Sequence, residues 1–309
     1  MPAFSLATYT LKVRYKGRRE TERLGAFGQP PRDLLPILHN YLTALAAQPD
    51  IDEVGRKLLE ATAANQNGRE LSGSIDHGEW GYATTGKNVR TLRVNYNRNV
   101  EDFEPFPFYF LISVPENGRI GFVVLQRYGH IGIRQQLLDY FLRHFVAAYP
   151  EYRINIEPAV PRDLIEQYTG AGAQVKKIRF LQHRLPRNFE DRYANPDDAV
   201  SGAYSEYIIH AKQEGLPIIR EVRAAIQNRA GAIARLLEIA PIRSQRVKVS
   251  IEVDGKPRSL EVGETTKMRA YYDITREVIV GDNGLPVFDS IDGIAHGLLR
   301  RQYQDIGQQ

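Results

Sequence analysis

The segment from Pro107 to Arg127 constrains the fold more than any other. PFYFLISV at 107–114 is an almost unbroken apolar run of strand-forming residues, the pattern of a strand buried on both faces. Asn117-Gly118 then supplies a tight turn, and RIGFVVLQR at 119–127 returns as a partner strand. A helix is expected directly afterwards, over 132–148. There Ile133, Leu137, Leu138, Tyr140, Phe141, Leu142, Phe145 and Val146 spread around about two thirds of the wheel, leaving Gln136, Asp139 and Arg143 as a polar stripe. A buried antiparallel hairpin with a wide apolar helix packed on it predicts an α+β fold with a mixed, largely antiparallel sheet. The breadth of that helix face also predicts a homo-oligomer or a tight complex.

Flanking segments extend the pattern. Residues 3–15 alternate as a strand that ends in a basic tip, and 31–47 form a helix if Pro36 falls in its first turn. Residues 69–84 are strand-like, with Gly73, Gly78 and Gly81 marking bulges or a bend, and VRTLRVNY at 89–96 alternates as a strand. Strands are expected at 152–157 and 174–184, with a short helix at 160–169 between them. The polar, turn-rich stretch at 185–200 separates an α+β core domain, 1–185, from a smaller α+β part, 186–309. In the latter, strands are expected at 203–210, 245–253, 258–263 and 267–274, with helices at 217–239 and 288–304. The 217–239 helix should break near Asn228–Gly231, because Arg229 would otherwise fall on its apolar face. Asp254-Gly255 is a second hairpin turn.

Composition removes several functions. With no cysteine, the chain has no disulfide, thiolate nucleophile or Cys-ligated metal. No segment is apolar for long enough to span a bilayer, and the N-terminus, with apolar residues ahead of its basic cluster, does not read as a signal peptide. A cytoplasmic protein is expected. No phosphate loop, nucleophile elbow, zinc-protease motif or dinucleotide fingerprint is present, so no catalytic residue and no cofactor are assigned.

Charge points to a partner. Net charge is +4, and arginine outnumbers lysine. That bias suits phosphate recognition and equally follows from a GC-rich coding sequence. The excess lies in residues 1–185. Lys12, Arg14, Lys16, Arg18 and Arg19 cluster beside Tyr15, and Lys177, Arg179 and Arg184 lie with Phe180 on one strand. Basic residues beside aromatics suit a nucleic-acid groove. Since alternate strand residues face opposite ways, Lys177 and Arg179 should matter more as a pair than Lys176. A second candidate is an anion loop where the best strand meets the best helix. There Gly129 and Gly132 free the backbone, and Arg127, His130 and Arg134 add charge near unpaired helix amides. Two weaker constellations are Asp76-His77-Gly78-Glu79, in which only His77 and Glu79 share a strand face, and Glu252-Asp254-Lys256, which has a nuclease-like composition across a hairpin turn. No metal site is expected from either.

The order GRELSGSIDHGEWGY, EPFPFYFLISVP and RIGFVVLQRYGHIGIRQQLLDYF, within residues 68–145, resembles an uncharacterised family of bacterial proteins whose genes sit beside phage-defence genes. The resemblance implies a setting in bacterial immunity and an accessory or sensing role with a protein partner encoded nearby. It transfers no site residue. Three functions are therefore open: a nucleic-acid-binding (DNA or RNA) component of a defence system, a metal-dependent nuclease or toxin effector, and a scaffold that binds protein only.

Overall fold

In the computed structural model the described residues are 4–129, 131–159, 169–170, 172–182, 205–212, 215–226, 232–237, 246–253, 256–262, 267–268 and 271–307. In chain order the elements are β1 (Phe4–Tyr15), α1 (Leu34–Ala47), β2 (Asp50–Asp52), β3 (Lys57–Asn67), β4 (Glu70–Glu79), β5 (Thr84–Lys87), β6 (Val94–Arg98), β7 (Phe106–Ser113), β8 (Gly121–Tyr128) and β9 (Ile131–Gly132). They continue with α2 (Arg134–Ala148), β10 (Tyr152–Pro158), β11 (Gln174–Gln182), β12 (Ser205–His210), α3 (Ile219–Ile226) and α4 (Ala232–Leu237). The last are β13 (Arg246–Val253), β14 (Lys256–Val262), β15 (Lys267–Met268), β16 (Tyr272–Asp273) and α5 (Phe288–Gly307). The α+β class is as expected, and every strand pairing whose register is described is antiparallel.

Two compact units result: Met1–Glu157 with Tyr271–Ile306, and Pro158–Ala270 with Gly307–Gln309. This differs from the expected division at 185/186. β11, which precedes that point, pairs with β12 and β13, which follow it. The segment expected as one strand at 267–274 is shared out, β15 pairing with β14 and β16 with β1.

The first unit is built on a nine-stranded sheet of order β10-β1-β8-β7-β4-β3-β2, with β16 beside β1 and β9 beside β8. The β7–β8 pair lies at its centre, as predicted, with Phe110 opposite Leu125 and Ile112 opposite Val123. Strand alternation divides the sheet's side chains into two sets. Ala7, Tyr9, Leu11 and Val13 of β1, Phe108, Phe110 and Ile112 of β7, and Val123 and Leu125 of β8 share one core with α1 and α2. The intervening residues meet α5. Phe122 stacks edge-on against Tyr303, Tyr109 Oη donates to Asp292 at 2.7 Å, and Gln302 Nε2 donates to Thr8 Oγ1 at 3.0 Å.

Helix α1 starts at Leu34, which places Pro36 in the first turn, where a missing N–H costs nothing. Asp33 caps it, accepting from Leu35 N at 3.0 Å. The wide apolar face of α2 is absorbed within the unit, by the sheet and by α1: Leu137, Leu138, Tyr140, Phe141 and Phe145 are buried, and Val146 is the large apolar residue left exposed. The oligomer expectation therefore loses the observation that motivated it. Gly73 and Gly78 are not bulge sites on β4. The bulge lies on the partner strand, between Ala61 and Ala63, and a Cβ on Gly73 would strike Ala63 O.

The second unit is a five-stranded sheet of order β12-β11-β13-β14-β15. Val175, Ile178, Phe180, Val247, Val249 and Ile251 are buried, as are Val222, Ala225, Ala232 and Leu236 of α3 and α4. The two helices lie on either side of Asn228–Gly231, where the 217–239 helix is expected to break, and Arg229 and Asn228–Gly231 themselves lie outside the described residues. The helix expected at 160–169 likewise falls almost wholly on residues outside them.

Candidate nucleic-acid interface

In the second unit, Lys177 and Arg179 project from the face of β11 opposite the buried Ile178 and Phe180. Their cross-strand neighbours are set by register. Arg179 stands opposite Lys248 of β13 and Ile208 of β12, and Lys177 opposite Ser250 and His210. Lys248, His210 and Ile208 are exposed. Like charges placed directly opposite on a sheet are destabilising; Arg179 opposes Lys248, whose other cross-strand neighbour is Glu261 of β14. Arg184 lies outside the described residues. Lys176 is set apart for a reason that alternation alone does not give. The register shifts between Val175 and Lys177, so Lys176 is the extra residue of a bulge, where its amine meets Gln174 Oε1 at 2.6 Å and Glu252 at 3.8 Å.

In the first unit the basic tip of β1 is also placed as a group. Lys12 and Arg14 lie on the same face of the strand, and Lys16, Arg18 and Arg19 follow in exposed chain. Lys16 N donates to Glu151 O at 2.8 Å and Thr10 Oγ1 to Glu157 O at 3.4 Å. These two bonds set β10 antiparallel to β1 and bring Arg153 opposite Arg14. Arg14 Nε reaches Thr21 Oγ1 at 3.5 Å, Arg119 donates to Thr21 O, and Arg18 stacks on Tyr15 at 5.1 Å. Sequence reading missed Arg153, Lys248 and His210, which join these groups only through strand register.

Of the anion-loop candidates, the two arginines among the described residues turn to separate aromatic rings. Arg127 lies over the ring of Tyr271 at 4.0 Å, and Arg134 over Tyr9 at 5.1 Å with Nη2 on Ile156 O at 3.5 Å. Each guanidinium is drawn to a different aromatic face rather than to the start of α2, and β9 pairs back on Arg127 and Tyr128. His130 lies outside the described residues.

The first acidic constellation is divided between the two faces of β4. His77 is buried, with Nδ1 2.8 Å from Leu58 O, and burial lowers its basicity. Asp76 faces the other side, opposite Glu60, and burial followed by that neighbouring carboxylate raises its pKa. Glu252 lies at the Lys176 bulge, whereas Asp254 lies outside the described residues. Among the described residues no group of three His, Asp or Glu side chains could hold a metal ion, and no helix is long and apolar enough to cross a membrane.

No protein-family profile, no curated protein and no solved structure matches this chain.

Proposed function

We propose that the chain binds nucleic acid through its basic sheet surfaces, without base-specific readout, as an accessory or sensor component of a bacterial anti-phage system that works with a protein partner. The observation that carries the binding reading is the cluster of basic side chains on one face of β11 and β13, Lys177 and Arg179 on the first and Lys248 opposite Arg179 on the second. Such a surface is stabilised by a polyanion, whose backbone supplies repeated charge and releases counterions on binding. The defence setting rests on the resemblance of residues 68–145 and on nothing else.

The test is a titration of DNA and RNA at two salt concentrations. Affinity should fall steeply with salt. Replacing Lys177, Arg179 and Lys248 by alanine should weaken binding to all sequences alike and flatten the salt slope by about one unit for each phosphate no longer neutralised. Lys176→Ala should change little. A Lys12/Arg14/Arg153 triple alanine variant reports on the first unit separately. Wild-type protein that shows no salt-sensitive binding to any nucleic acid would leave the scaffold reading in its place.

A further inference from the structure

Strands β5 and β6 form a two-stranded ribbon of their own, off both large sheets. Their tip carries the most exposed large apolar residues of this region, Val89 at 87% and Leu92 at 74%. Val94, Tyr96 and Val100 are each about half exposed along the arm. Residues 80–100 contain no Asp or Glu, while Lys87, Arg90 and Arg93 surround the tip.

The tip is a built turn. Asn88 Oδ1 accepts from Arg90 N and Thr91 N, both at 2.9 Å, Asn88 N donates to Arg93 O at 2.9 Å, and Leu92 N donates to Asn88 O at 2.8 Å. Leu92 is held at φ 56°, a left-handed conformation that is unfavourable for a non-glycine residue. Thus a leucine is kept in a costly backbone state to present its side chain to water. The base is equally fixed. Arg98 is buried, donating to Asp102 O and Glu79 O and pairing with Glu104 at 3.3 Å, beneath the ring of Tyr82 at 4.0 Å. Tyr96 Oη donates to Glu104 at 2.7 Å. Carboxylates therefore sit at the base and cations at the tip.

We propose that this arm enters the minor groove of duplex DNA, with Val89 and Leu92 as an apolar wedge between base pairs and Lys87, Arg90 and Arg93 on the flanking phosphates. The proposal rests on the nucleic-acid reading above and adds to it a mode of engagement, deformation of the duplex. Charge names the occupant: an acid-free, cationic tip complements a polyanion. Size agrees. A protein interface of useful stability buries on the order of 1,000 Å² or more, whereas a wedge needs only one or two side chains. Four to five residues of ribbon extend about 13–17 Å, so the tip side chains reach into a minor groove roughly 6 Å wide and 7.5 Å deep while the arm's paired backbones stay outside it. Flexible TA or CA steps, which unstack at least cost, are the expected sites.

The experiment uses the full chain and a short duplex carrying end labels for energy transfer and 2-aminopurine beside a central TA step. At saturating wild-type protein, the ends should approach and 2-aminopurine fluorescence should rise. At saturating Val89→Ser/Leu92→Ser protein, both signals should be lost, with an unchanged melting temperature showing that the fold is intact. Arg90→Ala/Arg93→Ala should reduce both. Salt-sensitive binding by wild type without bending or unstacking, or signals that persist in the serine variant, would overturn the arm proposal and leave the basic-surface reading standing. A self-associated wild-type protein that the serine variant turns into a monomer, with bending unaffected, would assign the tip to a second copy and overturn the proposal. Absence of any salt-sensitive binding would remove both.

Discussion

Two aspartates on the first unit's sheet side illustrate how the same side chain is given opposite electrostatic roles. Asp33 is gripped by Arg69 at 2.6 and 2.9 Å and caps α1. The bond to Arg69 holds its carboxyl below the usual range. A folded-state value below the unfolded one means that its contribution is present above the unfolded pKa and is lost as pH falls through the folded one. Asp33→Asn, which keeps a capping oxygen, should cost at most about 1 kcal/mol at neutral pH, and Asp33→Ala about 1–2 kcal/mol. In urea titrations the gap between wild type and the asparagine variant should close below about pH 4. Asp76 is the reverse case. Its pKa is raised, first by burial and then by Glu60, so its contribution is present in acid and lost as pH rises through the folded value. Asp76→Asn should therefore stabilise the protein at neutral pH, by up to about 1 kcal/mol, and give no gain in acid. An aspartate whose replacement destabilised at neutral pH would contradict this assignment.

At the level of elements, legibility followed sequence distance. The β7–β8 pair and α2 were readable because their patterns are local and continuous. The arm was not. VRTLRVNY alternates, yet Val89 to Arg93 form the turn and β6 begins only at Val94, so the alternation faces water on both sides. Arg127 and Arg134 looked like partners because they are close in sequence, and they separate because their aromatic partners, Tyr271 and Tyr9, are remote. The seam of α5 could not be read at all, since Tyr109–Asp292, Ser113–Tyr303 and Glu70–His296 each join residues far apart in the chain. In that seam the polar pairs fix register, and the buried Ile291, Ala295, Leu298 and Leu299 supply the adhesion. Leu298→Ala should thus cost about 2–4 kcal/mol, against about 1 kcal/mol for Tyr109→Phe, in chemical denaturation monitored by circular dichroism. Equal costs would mean that the hydrogen bonds, not burial, dock the helix.

Across the whole molecule, the second unit is an insertion into the first. β10 and β16 pair with β1 on the side away from β8. β10 lies beside Thr10–Lys16, and β16 beside Ser5 and Leu6. The chain therefore leaves and re-enters the first unit along one edge, at points about 13 Å apart by strand geometry. Replacing 158–270 with a short Gly/Ser linker should leave the first unit folded, with a single cooperative melt. The same edge orders events during synthesis. Leu6, Leu111, Phe122 and Val124 lie on the sheet face that α5 covers, and the strand edge at Phe4 waits for Ile274, whose N–H it accepts. A nascent chain holding the nine-stranded sheet's other strands must carry that apolar face bare while the entire insertion is translated, which makes the ribosome-bound intermediate a natural client for a chaperone.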